Sequence, residues 1–351
     1  MVRWRSGTVL SLGRTWRGAA ELQVRVGTDE VRALAYPDLV GSPAVGDRVL
    51  LNVGAQVMGL GTGGYAMVVA IPDRLPADPA APGTTRDAGH LVKARYTPLQ
   101  PILLGVDEEA SPHRATMAAA ESLDGMPVVT ADLHSALPAI LAAVHADRPA
   151  ARVAYVMLDG GALPAWFSRT LDGLAPALAG IITTGQSFGG TLEASTVHTG
   201  LLAARHVLAA DIAVVTQGPG NLGTGTTWGF SGVSVGEAIN AGATLGGRAI
   251  GSLRVSSGDG RARHQGVSHH SATAYGRVAL APADIVVPAG LPFPLPSLPR
   301  HRIVTVPTDG LADALRASPV PLSTMGRSYD QDPWYFLAAA AAGRHAAGLV
   351  V

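Results

Sequence analysis

The feature that most constrains the fold is a series of short, almost continuously apolar runs in the last two thirds of the chain, separated by stretches of helical character. A run that is apolar at every position is typical of a strand covered on both faces, as in a parallel sheet with helices on either side. We therefore predict an α/β fold with a doubly wound, mostly parallel, Rossmann-like sheet. The predicted strands are ILLGV (102–106), RVAYVML (152–158), LAGIITT (178–184), DIAVVT (211–216), AIGSLRV (249–255), DIVVP (284–288) and RIVTV (302–306).

The first part of the chain has a different pattern, with five short strands separated by Gly, Pro and Asp turns. They are GTVLSLG, AELQVRVG, EVRALAY, DRVLLNV and YAMVVAI. Five such strands predict a small β-barrel, OB-like or SH3-like, over residues 1–73. A stretch rich in Pro, Ala and Asp then indicates a linker over 74–95, and the α/β domain follows over 96–351.

Composition excludes several classes of partner. Basic and acidic residues balance at 26 each, without a polybasic run, and the barrel strands lack a basic groove with stacking aromatics. We therefore expect no nucleic acid, and assign the barrel to docking of a protein partner or of a second copy of the chain. No signal peptide and no apolar stretch of about 20 residues are evident, so we expect no membrane and a cytoplasmic location. The absence of cysteine excludes disulfides and thiolate sites.

Polar clusters follow four of the predicted strands. GQSFGGTLEASTVH, TQGPGNLGTGTTWGFSG, SSGDGRARHQGVSHHSAT and PTDG each begin where an apolar run ends. Because open parallel sheets bind ligands beyond the carboxyl ends of their strands, we predict that these loops converge on one pocket.

The second of these loops is rich in glycine. Gly218, Gly220 and Gly223 have G-x-G-x-x-G spacing, but no helix opens within the motif and no acidic residue ends the next strand, which argues against a dinucleotide site. Exposed amides in such a loop can instead form a nest for an oxyanion or phosphate. We therefore assign it to a small anionic ligand, and a loop without a ligand is the alternative. The candidate residues are the three glycines with Asn221, Thr224, Gly225 and Thr226.

The first loop contains GQSFG, which matches the G-x-S-x-G turn of α/β-hydrolases. Ser187 would be the nucleophile, followed in the required order by Asp259 and by His264 or His269. A further glycine pair delays the helix, and such motifs arise by chance in a chain with 43 glycines. A serine hydrolase therefore stays an alternative, and we expect Gln186 or Ser187 to line the shared pocket.

The third loop is the richest in ionisable side chains. In GDGRARHQGVSHH, Arg261 and Arg263 suit a carboxylate or phosphate. Ser268 has the character of a helix N-cap, which places His269 and His270 in the first helical turn. The positive end of a helix disfavours an imidazolium, so these rings should stay neutral.

Neutral histidines beside a carboxylate point to proton transfer. We take His269, His270 and Asp259 as candidate catalytic residues and His264 as a candidate ligand-binding residue. The three histidines lack helical i, i+4 spacing such as H-E-x-x-H, so we expect no metal site.

Three of these segments in order also resemble a known family. QSFGGTLEA, GPGNLGTGTTWGFSG and RHQGVSHHSAT, after a small N-terminal β region, resemble a bacterial family of unknown function, the DUF3866 family. The resemblance implies that the three loops belong together and supplies no activity or catalytic residue. The residues themselves favour a non-redox enzyme, or a former enzyme, for a small anionic metabolite or nucleotide, with a non-catalytic ligand sensor as the alternative. They indicate no particular cofactor.

Overall fold

The computed structural model describes residues 2–61, 63–77 and 89–350. Five strands form a closed barrel in the order β1-β2-β3-β5-β4, in which β3 and β5 are parallel. This confirms the predicted barrel, and its Greek-key order is of the OB type. The elements are β1 Trp4–Trp16, β2 Ala19–Val26, β3 Asp29–Ala35, α1 Pro37–Val40, β4 Arg48–Asn52, α2 Gly54–Val57 and β5 Ala66–Ala70.

The rest of the described chain is built around one eight-stranded sheet in which every neighbouring pair is parallel. Its order is β11-β10-β9-β12-β8-β13-β16-β17, and three two-stranded pairs lie outside it. The strands are β6 Leu91–Val92, β7 Ile102–Leu103, β8 Pro127–Thr130, β9 Val153–Leu158, β10 Gly180–Thr183, β11 Leu192–Glu193, β12 Ile212–Gln217, β13 Arg248–Ser252, β14 Val255–Ser256, β15 Gly266–Val267, β16 Asp284–Pro288, β17 Arg302–Val306, β18 Ser323–Thr324 and β19 Arg327–Ser328.

Helices cover both faces of this sheet, as predicted for a doubly wound fold. Along β9, Tyr155 and Met157 pack into one apolar core, and Ala154 and Val156 pack into another. The first core is shared mainly with α4, α5, α9 and α10, and the second lies beneath α3, α6 and α7. The remaining helices are α3 Arg114–Ala119, α4 Leu137–Asp147, α5 Arg169–Leu174, α6 Val197–His206, α7 Ser234–Thr244, α8 His269–Thr273, α9 Leu311–Arg316 and α10 Pro333–Gly348.

Six of the seven predicted strands are strands of the sheet, whereas the run at 102–106 touches it only through an isolated parallel bridge between Gly105 and Glu193 of β11. Its first two residues form β7, which pairs only with β6. A strand near the centre of the sheet, β8, was missed because its apolar run, Pro127–Thr130, is only four residues long. The predicted linker over 74–95 is described only in part. Residues 78–88 lie outside the described residues, and 89–95 carry β6 and the fully buried Lys93.

The chain changes direction at the centre of the sheet. The connection after β8 runs through α4 and passes over β12 to reach β9, whereas the connection after β12 runs through α7 and passes over β8 to reach β13. The loops after β12 and β8 therefore leave these neighbouring strands in opposite directions and open a crevice, the usual ligand position in such sheets. No helix among the described residues has the length and apolarity needed to cross a membrane.

Candidate functional site

A cleft of about 440 Å³ lies at this crevice. Residues 133–138 after β8 and 217–221 after β12 face each other across it, and residues 167–170, 321–325 and Gly61 of the barrel complete its lining. His134, Ser135 and Pro138 stand at the amino-terminal end of α4, whose dipole favours a negative charge. Of the described lining residues, Arg169 carries the one formal positive charge. The cleft therefore combines two positive features with a lining of small and polar residues.

The base of the glycine loop forms one wall of the cleft. A side chain at Gly218 would overlap the carbonyl oxygen of Ala162, and Gly220 has a φ of +91°, a left-handed conformation that favours glycine. Gln217 connects the loop after β12 to the loop after β8 by hydrogen bonds. Its Nε2 donates to the Asp132 carbonyl at 2.7 Å and to Asn221 Oδ1 at 2.8 Å. Its Oε1 is buried and has no hydrogen-bond partner among the described residues.

A chain of buried hydrogen bonds runs from the cleft into the core. His134 Nε2 lies 2.7 Å from Ser168 Oγ, and His134 Nδ1 lies 3.0 Å from the Tyr155 hydroxyl. Tyr155 is in turn 2.9 Å from Thr216 Oγ1, whose hydroxyl donates to the Gln217 carbonyl at 2.8 Å. Every donor in this chain has an acceptor if the Ser168 hydroxyl donates to His134 Nε2 and His134 Nδ1–H donates to the Tyr155 hydroxyl oxygen. The Tyr155 hydroxyl then donates to Thr216 Oγ1. Burial lowers the pKa of His134 from 6.5 to about 4, so the ring is neutral and its Nε2 can accept the Ser168 proton.

The tip of the glycine loop is separate from the cleft. Gly223 pairs with Phe230 in an isolated bridge, and Thr224 donates its amide to the Gly229 carbonyl at 2.7 Å. Thr224 and Thr226 join their hydroxyls at 3.0 Å, and both residues are exposed. A Cβ at Gly225 would lie 3.6 Å from the Arg263 guanidinium, also exposed. The loop therefore divides into a base within the cleft and a solvated tip beside Arg263.

The three histidines meet on the far side of this loop. Ser268 caps α8 by accepting the His270 amide at 3.2 Å, which confirms the predicted cap and places His269 and His270 in the first turn. Phe230 stacks on His270 with a 3.7 Å centroid separation. One ring nitrogen from each of His264, His269 and His270 lies within 4.8 Å of the others. A 3₁₀ turn at Ala262–His264 and the β14–β15 pair bring the rings together without helical spacing.

The pKa values of two of these histidines are lowered chiefly by burial. For His264 the pKa falls from 6.5 to about 3, with the nearby Arg254 adding to the effect. For His269 the direction is the same, and the His270 ring beside it contributes. Both rings are therefore neutral near pH 7, which for His269 is the state expected from the sequence, with burial as the chief cause in place of the helix dipole.

Buried ion pairs surround the histidines. Asp259 receives two guanidinium bonds from Arg261, at 2.7 and 2.9 Å, which hold the pKa of its carboxyl far below the usual range. Arg254, 3% exposed, lies 3.6 Å from Asp132 Oδ2 and 3.8 Å from Asp259 Oδ2. Asp259 and Arg261 are thus engaged with each other, which leaves Arg263 as the arginine of this loop that faces solvent.

Gln186 and Ser187 lie elsewhere. The Ser187 hydroxyl is fully buried and donates to the carbonyls of Thr184, at 2.7 Å, and Met157, at 3.0 Å. Gln186 accepts the Arg95 amide at 3.0 Å. Neither residue lines the cleft, and β10 is four strand positions from β13, about 19 Å at the usual strand spacing. The structure therefore keeps Ser187 apart from Asp259, His264 and His269, and this placement does not favour the GQSFG triad.

Sequence reasoning missed the residues that join the two sides of the site. Asp132 and His134 follow β8, and the strand-end argument would have found them had that strand been recognised after the Asp124–Gly125 turn. Arg254 was included in the predicted strand 249–255, whereas β13 ends at Ser252. A charged residue within an apolar run was the signal that could have identified it. Nothing in the sequence singled out Ser168.

Comparison with known proteins places these loops in one family. A family model described as "Protein of unknown function (DUF3866)" matches residues 32–343, which is well over half of the chain. No curated protein matches the chain.

Proposed function

The chain belongs to this family of unknown function, and we propose that it binds a small anionic metabolite or nucleotide in the cleft at the centre of the sheet, as a non-redox enzyme or a former enzyme. The observation that carries the proposal is the presence of both Arg169 and the amino-terminal end of α4 in the lining of one cleft. An anionic group between them would gain a charge-assisted hydrogen bond and a favourable helix dipole. Leu133, Phe167 and Met325 offer apolar contact to the rest of the ligand.

The first test is a thermal-shift screen with phosphates, nucleotides and carboxylates, because a compound that binds only the folded protein raises its stability. Arg169→Ala should then weaken the stabilising compound by about one to two decades, since a hydrogen bond to a charged group contributes about 1.5–3 kcal/mol. Arg114→Ala is the matched control, because Arg114 also begins a short helix, is 52% exposed against 55% for Arg169, and is likewise paired with a glutamate. A panel without any stabilising compound, or an affinity that survives Arg169→Ala, contradicts the proposal.

The Ser168–His134 pair favours a second candidate function, acyl transfer or hydrolysis through a serine. A hydroxyl 2.7 Å from a neutral imidazole, with Tyr155 orienting the other ring nitrogen, has the geometry of a nucleophile and its base. Ser168 also caps α5 by accepting the Leu171 amide at 3.0 Å, which alone would be a structural role. Only a measurement of the reactivity of Ser168 can therefore distinguish a catalytic role from a structural one.

A fluorophosphonate probe makes that measurement. For a catalytic Ser168 we expect stoichiometric labelling of the wild type, none in Ser168→Ala, slow labelling in His134→Gln, and normal labelling in Ser187→Ala, whose hydroxyl is sequestered. Loss of the helix cap in Ser168→Ala costs about 1 kcal/mol, so the fold should survive. An unlabelled wild type rejects this second function and leaves ligand binding unaffected.

The non-catalytic alternative, a ligand sensor, has support in the barrel contacts. Trp16 Nε1 donates to the Trp166 carbonyl at 2.6 Å, and the Arg17 amide donates to Asp172 at 3.1 Å. Trp166 directly precedes the segment 167–170 that lines the cleft. A ligand that shifts this segment would therefore move the barrel contact, and a change in tryptophan fluorescence on binding would follow.

A further inference from the structure

We propose that His264, His269 and His270 bind a divalent transition-metal ion through one ring nitrogen each. The ring centroids are 4.5 to 5.1 Å apart, and the three nitrogens lie within 4.8 Å of one another. Imidazole is a common ligand of Zn²⁺, Ni²⁺ and Cu²⁺. A tetrahedral ion with bonds of 2.0–2.1 Å places its nitrogens about 3.4 Å apart, so the rings need to close by little more than 1 Å.

The nitrogens that would bind the metal have no other partner. His264 Nδ1 is bonded to Ser268 Oγ at 2.8 Å, and His270 Nδ1 lies 3.2 Å from Arg254 Nη1. Within the described residues, nothing forms a hydrogen bond with Nε2 of either ring. His269 Nε2 is also without a partner, and it is buried. The Nε2 atom of each ring therefore has no hydrogen-bond partner among the described residues, and we assign it as the metal ligand.

Two buried polar atoms in this region lack a hydrogen-bond partner, and a bound metal would account for both. One is His269 Nε2, which would coordinate the ion. The other is Asp132 Oδ2, which lies 3.4 Å from His270 Nδ1. Arginine can only donate, so in the free protein His270 Nδ1 accepts from Arg254 and the ring proton is on Nε2. When His270 coordinates through Nε2, that proton moves to Nδ1, which then donates to Asp132 in place of accepting from Arg254, the carboxylate–histidine–metal arrangement of many sites. Arg254 then keeps its charge pairing with Asp132 and Asp259.

The surroundings suit a dication. Phe230 lies flat against His270, at an interplanar angle of 5°, and fixes the plane of that ring. Paired carboxylates offset most of the positive charge near the rings, and Arg263 adds a further positive side chain that acts on His269. The paired residues are Arg254, Arg261, Arg327, Asp132, Asp259 and Asp332. With three histidine ligands, a fourth position would be left for water or a substrate atom.

The test uses the full chain without an affinity tag, stripped with chelator and titrated with Co²⁺ in a spectrophotometer and with Zn²⁺ in a calorimeter. We expect one ion per chain, visible Co²⁺ bands, and displacement of Co²⁺ by Zn²⁺. His269→Gln should abolish binding, whereas His198→Gln, at an exposed position on α6, should bind normally. Asp132→Asn should weaken binding about 10–100-fold through the loss of its contact with His270.

Circular dichroism of each variant establishes that the fold is retained. Absence of stoichiometric binding, retention of binding in folded His269→Gln, or an equal loss in His198→Gln each overturns the proposal. No cleft ligand is present in these titrations, so their outcome is independent of the proposed function.

Discussion

Replacing Lys93 by alanine is expected to lower the free energy of unfolding by about 3–5 kcal/mol, the usual cost of removing one partner of a buried ion pair. Lys93, the one lysine in the sequence, is fully buried, with Nζ 2.8 Å from the Ala194 carbonyl, 3.0 Å from the Ser187 carbonyl and 3.6 Å from Glu193 Oε2. Alanine leaves these acceptors without a donor and opens a cavity. Denaturant unfolding followed by circular dichroism measures the loss.

Two further variants separate charge from volume. Lys93→Met restores the side-chain volume but leaves Glu193 unpaired, so it should remain destabilised. Adding Glu193→Gln removes the buried carboxyl and should recover part of the loss. Burial raises the pKa of Glu193 and lowers that of Lys93, so each depends on the other for its charge. A Lys93→Ala protein within 1 kcal/mol of the wild type contradicts this role.

Filling the cleft should abolish ligand binding without unfolding the protein. Thr170 lines the cleft from the first turn of α5, and tryptophan there would occupy the volume between Arg169 and the opposite wall. We expect a loss of at least about 100-fold in affinity, roughly 2.7 kcal/mol. Titration calorimetry with the compound found in the screen measures it.

Thr116→Trp is the control for this substitution. Thr116 is an exposed residue of another short helix, α3, and does not line the cleft. Its tryptophan variant should bind as the wild type does, with a similar unfolding midpoint. Equal affinity in Thr170→Trp and Thr116→Trp would place the ligand elsewhere.

The sequence predicted the two-part architecture because burial on both faces leaves a clear signal in long strands. The six-residue strands β9 and β12 are buried at every position, whereas β8 offers four residues and was missed. Recognising the runs did not give the strand order, which depends on where each crossover helix packs. The crevice between β12 and β8 could therefore not be predicted from the sequence, although the loops after both strands contain polar residues.

Parts of the candidate site were predicted from the sequence, but the contacts between those parts were not. The polar residues that follow the predicted strands correctly placed the base of the glycine loop at the carboxyl edge of the sheet. The predicted helix cap at Ser268 is confirmed. The Ser168–His134 contact joins residues 34 positions apart, and the Arg254–Asp132 contact joins residues more than 100 positions apart. Local spacing cannot reveal such contacts, and it also favoured GQSFG, whose serine is sequestered by carbonyl oxygens.

The most direct test of the central claim is a crystal structure of the protein with the compound that stabilises it most. We predict electron density between residues 217–221 and 133–138, with an anionic group within hydrogen-bonding distance of Arg169 and of the backbone at the start of α4. Density at the exposed tip of the glycine loop, against Arg263 and Gly225, with the cleft empty, would contradict the claim.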